Sequence, residues 1–293
     1  MHTFRVCTRP RASFAAAVVL AGCTLQAAGV VAEEQAPQGV RLLQNKAFDD
    51  GEQTRAQILA LYKDLRVTDV CDGMDLVGLQ DVGLMDNAIR PLWRDAEHFT
   101  HRFVGFAVTV RYVPADVRVG QNSFPSLEGF QQFKREQYGR APDPWLKTVT
   151  PGDAVVMDTG GVEEGGNIGS NNSLGWAEKG VVGVVTNGGA RDTDEIVKLK
   201  RPPVYCRDGY STRGVRPGRM LTESYNFPVN CGGVLVYPGD VIVADGDGVI
   251  VVPRQRALEV GRLARQIHDD DEQGRRARYE RLGIPPDETV EQP

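Results

Sequence analysis

The chain has 293 residues, enough for one substantial core, and its 41% hydrophobic and 25% charged residues are those of a soluble globular fold. Its formal net charge of −5 offers no basic face for phosphate backbones, so nucleic acid is not an expected partner. There is no G-x-S-x-G elbow, no P-loop and no G-x-G-x-x-G after a strand, which leaves hydrolase triads and nucleotide cofactors without support.

Residues 1–32 read as an export signal. Arg5, Arg9 and Arg11 carry no neighbouring acid and precede the apolar run "ASFAAAVVLAG", which is too short to span a bilayer and has no amphipathic period. "LAGC" ending at Cys23 resembles the lipobox of bacterial lipoprotein signals; the alternative is cleavage after "VVA", leaving Glu33 first. Either way the expected location is outside the cytoplasm, periplasmic or lipid-anchored, and the only expected membrane contact is a lipid on Cys23. Residues 33–53 read as a polar tether, 54–285 as one folded domain and 286–293 as a tail. Cys71, Cys206 and Cys231 lack metal-pair spacing; export allows one disulfide, and buried free thiols are equally consistent.

From Thr54, "TRAQILALYKDL" places Ile58, Leu61, Tyr62 and Leu65 at helical spacing, and "VTDVCDGMDLVG" predicts a second helix closed by glycine. "FVGFAVTVRYV" is rich in β-branched and aromatic residues and predicts a strand over 103–113. The region 115–150 holds a predicted helix, "SLEGFQQFKREQYG", then "APDPW", and reads as either a lid or a plain surface excursion. From "PGDAVVMDTGG" the rhythm becomes strand, turn, helix: "AVVMD", a glycine-rich turn, "NNSLGWAEKG", then "VVGVVT". Further strands are expected at "PVYC", "GGVLVYPGD", "VIVADGD" and "GVIVVP", the last ones in antiparallel or mixed pairing, before an amphipathic C-terminal helix or helix pair. The rhythm points to an α/β fold with buried strands. "HDDDEQ" near residue 270 reads as a solvated face or turn.

The stretch "IGSNNSLGWAEKGVVGVVTNGGARD", residues 168–192, carries the candidate chemistry. Gly169 and Ser170 sit where a helix begins, with Ser as the expected N-cap. The unpaired N–H groups of a helix N-terminus suit a carboxylate or a phosphate, and glycines at 165, 166 and 169 would admit a ligand close to the backbone. Arg191 and Asp192 follow the next strand, at the edge where open α/β sheets place ligands. Arg191 can clamp a carboxylate, and Asp192 is a hard oxygen ligand suited to Mg²⁺ or Mn²⁺. The plain alternative is a capped helix beside a surface Arg–Asp pair. Two other motifs carry less. "ADGDGVIVVP" lacks the alternating ligands of a calcium loop and reads as a turn. His98 and His101, in an extended segment, would face opposite ways and make no zinc site.

Taken in order, "RVTDVCDGMD", "IRPLW", "FVGFAVTVR", "PGDAVVMDTGG", "GVVGVVTNGGARDTDEI" and "PVNCGGVLVYPGDVIVADGDGVIVVP" resemble the RraA-like family, which includes regulators of ribonuclease activity and 4-hydroxy-4-methyl-2-oxoglutarate aldolases. The resemblance implies a swivelling α/β sandwich with a mixed sheet, assembled as a homotrimer or a dimer of trimers. It also implies a metal-dependent lyase that cleaves or decarboxylates a small 2-oxo acid through a metal-stabilised enolate, a metal-bound water being the default acid or base. In that scheme Asp192 holds the metal, Arg191 contacts substrate, and Asn171 and Asn172 supply N–H groups to its carboxylate. Where the aldolase branch has an Asp separated from the Arg–Asp pair by twenty residues, this chain has Ser170. That departure keeps open an exported, non-enzymatic binding or regulatory protein of the same fold.

Overall fold

The computed structural model describes residues 39–48, 51–116, 124–139, 142–160, 165–207, 211–215 and 218–290; the expected export signal lies outside them. Residues 39–41 belong to a separate unit spanning 1–41, and 42–293 form the unit described below. Residues 42–48, within the segment read as a tether, have no regular secondary structure, yet Asn45 donates to the Asn226 carbonyl at 2.8 Å and the Lys46 ammonium lies 4.0 Å from the Tyr237 ring centre.

Two helices open the unit, α1 (Glu52–Tyr62) and α2 (Val67–Leu76). The first stops at Tyr62, short of the periodic pattern, because Asp64 takes a left-handed backbone (φ 62°); Leu65 is buried from the following turn instead. Strands β1 (Arg90–Pro91) and β2 (Phe103–Pro114) follow, then helix α3 (Leu127–Tyr138). Next come β3 (Asp153–Asp158), β4 (Gly166–Ile168), α4 (Ser170–Glu178), β5 (Gly183–Thr186), β6 (Gly189–Ala190), α5 (Thr193–Leu199) and β7 (Val204–Cys206). The chain closes with β8 (Met220–Tyr225), β9 (Val229–Cys231), β10 (Val234–Val236), β11 (Val241–Asp245), β12 (Gly248–Val252) and α6 (Ala257–Leu282). The charged C-terminal stretch is one helix of 26 residues.

The sheet is mixed, in the order β1-β7-β5-β3-β2-β11-β12, with β8 also on β2. Strands β2, β3, β5 and β7 run parallel; β1, β8, β11 and β12 pair antiparallel. One flank of the long β2 pairs first with β11 and then with β8, and its register shifts between Arg111 and Tyr112. The two-residue side-chain period explains why every residue of β3 is buried. Val155 and Met157 face a core built around Trp145 and Trp176, while Ala154 and Val156 face a second core with Val185, Ile242 and Val251. Strands β11 and β12 alternate likewise, turning Val241, Val243, Ile250 and Val252 toward α1, α2 and α6.

One expectation needs correction here. Trp145, in the region read as a lid or surface excursion, is fully buried, with its ring edge-on to Trp176 at 4.8 Å between centroids. The "HDDDEQ" stretch lies on α6 with Asp270, Asp271 and Gln273 exposed as expected, and Glu272 alone among its residues is buried. No disulfide links Cys71, Cys206 and Cys231.

Candidate functional site

The candidate site forms where β4 and β6 pair in parallel, Gly166 opposite Gly189 and Ile168 opposite Ala190. Beyond their carboxyl ends, β4 leads through Gly169 into α4 and β6 leads through Arg191 and Asp192 into α5. The Arg191 N–H donates to the Ile168 carbonyl at 2.9 Å, fixing one turn against the other. The segment 211–215 closes a further side: Gly166 N–H donates to the Arg213 carbonyl at 2.7 Å, and Ser211 N–H to the Ala190 carbonyl at 2.9 Å. Nothing in the local sequence signals that segment, since it meets the site by long-range pairing.

Asp192 occupies a left-handed backbone conformation (φ 54°, ψ 40°), which Asp tolerates better than most residues. It stands at the N-cap of α5 but makes no side-chain cap bond there. Its carboxylate crosses to the other turn instead. One oxygen accepts from the Ser170 N–H at 3.3 Å, and the other lies 3.3 Å from Arg191 Nε. Strained residues held this way are found at ligand clamps and active sites. Both side chains remain partly exposed, 43% for Arg191 and 36% for Asp192, so each has surface left for a ligand.

Two sequence expectations change in detail. The N-cap of α4 is Gly169, in an extended conformation, and Ser170 is the first helical residue, contributing its N–H and not its hydroxyl. The glycines make room for the chain's own side chains: a Cβ on Gly169 would stand 2.6 Å from an Asp192 carboxylate oxygen, and one on Gly166 would stand 3.1 Å from Arg191 Cγ. The Asn171 and Asn172 N–H groups lie in the first turn, ahead of the first intrahelical bond, from Ser173 N–H to the Gly169 carbonyl at 2.9 Å. Gly169, Ser170, Asn171, Asn172, Arg191 and Asp192 therefore meet at one turn pair.

Among the described residues no three or more His, Cys, Asp or Glu side chains are placed to hold a metal ion together. Asp192 is a single hard carboxylate, and a single carboxylate fits Mg²⁺ or Mn²⁺, which keep several waters; it does not fit Zn²⁺ in a closed protein cage. His98 and His101 make no metal pair for a reason other than an extended backbone: residues 96–101 form turns, in which His101 is buried and accepts from Asp95 N–H while His98 is exposed. Asp245 and Asp247 occupy the β11–β12 turn, where Asp245 accepts from the N–H groups of Val67 and Asp247.

A mixed α/β sheet, with an Arg–Asp pair beyond a parallel strand pair and a helix N-terminus facing it, defines the class as α/β. The RraA-like profile (Aldolase/RraA) matches residues 67–251, and the chain belongs to that family. A provisionally named 4-hydroxy-4-methyl-2-oxoglutarate aldolase of Halalkalibacterium halodurans is 35% identical over 130 residues, 44% of this chain and 60% of that protein. The chain thus spans less than two thirds of that curated relative. Protein DlpA of Legionella pneumophila is 26% identical over 195 residues, 66% of this chain and 27% of its own length. Among solved structures, RraAS2 of Streptomyces coelicolor, described as an unusual member of the RNase ES inhibitor RraA family, superposes with a TM-score of 0.58 at 24% identity, over 76% of this chain and 98% of its own. An uncharacterised protein of Pseudomonas syringae pv. tomato superposes at 0.59 with 22% identity, over 78% and 94%. At these identities the structural likeness establishes the fold.

Proposed function

We propose that this chain is a divalent-metal-dependent lyase acting on a small 2-oxo acid, by retro-aldol cleavage or by decarboxylation of an oxaloacetate-type substrate. The observation that carries the reading is the Asp192 carboxylate, turned away from its own helix to stand between Arg191 and the N-terminus of α4. The name of the H. halodurans relative supports the same reaction class.

In this reading the Asn171 and Asn172 N–H groups bind and orient the substrate carboxylate, where unpaired donors and the helix dipole favour negative charge. The Arg191 guanidinium neutralises charge that develops on the 2-oxo oxygen as the carbon–carbon bond breaks. Asp192 would hold Mg²⁺ or Mn²⁺, which supplies Lewis-acid stabilisation of that charge. The Ser170 N–H and Arg191 Nε hold the carboxylate in place, so the pair acts as a unit. The same proposal includes an assembly of three or six copies, export directed by residues 1–32 and a lipid on Cys23 as the route to the membrane.

One observation favours the non-enzymatic alternative: Ser170 brings no carboxylate to the first turn of α4. The deciding experiment measures pyruvate release from oxaloacetate by the full chain, with and without Mg²⁺ or Mn²⁺, beside Asp192→Ala. The mutant is the baseline for spontaneous and metal-driven decarboxylation. Turnover that needs metal and falls about 100-fold or more in Asp192→Ala is expected, as for loss of a charge-stabilising group. Equal rates in the two proteins, there and with 4-hydroxy-2-oxo acids, would leave the binding-protein reading.

A further inference from the structure

Away from the Arg191–Asp192 turn, an open cleft of about 1130 Å³ lies between the end of α1, the middle of α6, the 98–102 turn and the C-terminal segment around Thr289. A smaller cleft of about 280 Å³ adjoins it, and Lys63, Asp64 and Arg102 line both. Arg102 immediately precedes β2, at the amino-terminal edge of the parallel strands, whereas Asp192 lies beyond their carboxyl-terminal edge. The two places are on opposite edges of the sheet.

Most cations lining the large cleft are already bound within the chain. Arg66 is hydrogen-bonded to Asp69 and Asp271, Arg265 to the carbonyls of Leu61 and Lys63, and Arg275 to the Thr289 carbonyl. Arg102 is different. Among the described residues its guanidinium has no hydrogen bond and no ion pair, and its buried Nε–H has no acceptor. Only the Phe99 ring holds it, stacked 3.7 Å from the guanidinium carbon, and Phe99 is itself held at φ 49°, a conformation bulky residues rarely adopt. The carboxylates nearby do not reach it: Asp64 lies 3.9 Å from Lys63 Nζ, and Glu272 lies 3.7 Å from Arg276.

A guanidinium fixed by stacking, with its donors unused, presents a planar fork suited to two oxygens of one oxyanion. Arg102 lines both clefts, so its terminal N–H groups can exchange water for the charged oxygens of a bound anion. We infer that Arg102, with Lys63 at the rim, forms a second binding site for a small oxyanion, a phosphate or a carboxylate, independent of the Arg191–Asp192 site.

The test is isothermal titration calorimetry on the full chain at constant ionic strength in chloride, with inorganic phosphate in one arm and citrate in the other. Saturable binding of one anion per chain is expected, weakened about tenfold or more in Arg102→Gln and unchanged in Asp192→Ala. The arm that binds assigns the oxyanion as phosphate or carboxylate. Absence of saturable binding in both arms overturns the proposal, as does unchanged affinity in Arg102→Gln. Binding lost in Asp192→Ala also overturns it, because the anion then belongs to the other site. Should Arg102→Gln fail to fold by thermal unfolding, Lys63→Gln decides: a higher Kd supports the site, and an unchanged one overturns it. Loss of oxaloacetate turnover in Asp192→Ala with phosphate or citrate binding intact separates the two readings.

Discussion

The Asp192 carboxylate owes its position to a glycine twenty-three residues earlier. Gly169 leaves space for one carboxylate oxygen to sit where a Cβ would come within 2.6 Å, far inside van der Waals contact. Gly169→Ala therefore displaces Asp192, the end of a side chain, before it displaces the α4 backbone. On the proposed lyase reading, activity on a 2-oxo acid and Mg²⁺ affinity should each fall about 10–100-fold, the range typical when the support of a ligand is disturbed, while the unfolding midpoint in urea moves little. A variant with wild-type Mg²⁺ affinity would show that the contact does not hold the carboxylate. The sequence made Arg191 and Asp192 legible as candidates by residue type and place. It could not show which way the carboxylate turns, since that depends on a left-handed backbone angle and on a neighbouring turn.

The short strands β1, β4, β6 and β9 escaped the patterns that made β2, β3, β5, β7, β10, β11 and β12 readable. β4 and β6 are Gly-Asn-Ile and Gly-Ala, with no β-branched run to mark them, and they exist because they pair with each other. α2 was legible in outline, but the stabilisation of its start comes from far along the chain: Asp245, in the β11–β12 turn, accepts the Val67 N–H at 2.9 Å. Asp245→Ala would leave that buried N–H and the Asp247 N–H without an acceptor. A loss of roughly 1–3 kcal/mol is expected from urea unfolding, with oxaloacetate turnover per folded molecule unchanged.

Across the whole molecule, the helical layer is tied together by one buried carboxylate. Asp69 on α2 meets Arg66 Nε at 3.0 Å and His268 Nδ1 of α6 at 2.9 Å, and Arg66 reaches on to Asp271 at 2.7 Å. Burial alone would raise the Asp69 carboxyl, but the hydrogen bonds from His268 and Arg66 outweigh it and hold the pKa at about 2, below the ordinary 3.8. A depressed carboxyl stabilises the fold above its unfolded value, and the contribution is lost as pH falls from about 4 through about 2. Roughly 1–2 kcal/mol should disappear over that window once solvent screening is allowed for. Urea midpoints measured from pH 5 to pH 2 should show the fall in wild type and a flatter profile in Asp69→Asn. Equal slopes would mean that the tie contributes nothing to acid stability.

The sequence by itself determined the α/β class, the buried parallel strands and the family, because hydrophobic period and ordered motifs are local properties of the chain. It also singled out the 168–192 stretch as the candidate site. Tertiary structure alone decided that Gly166 and Gly169 lie against the Arg191 and Asp192 side chains, that Ser170 contributes its N–H, and that Trp145 is core. It alone placed Arg102, stacked on Phe99 and with no hydrogen-bond acceptor for its Nε–H among the described residues, at the meeting of two clefts. Each of these depends on which distant segment lies opposite a side chain, and pairing at long sequence separation leaves no local pattern to read.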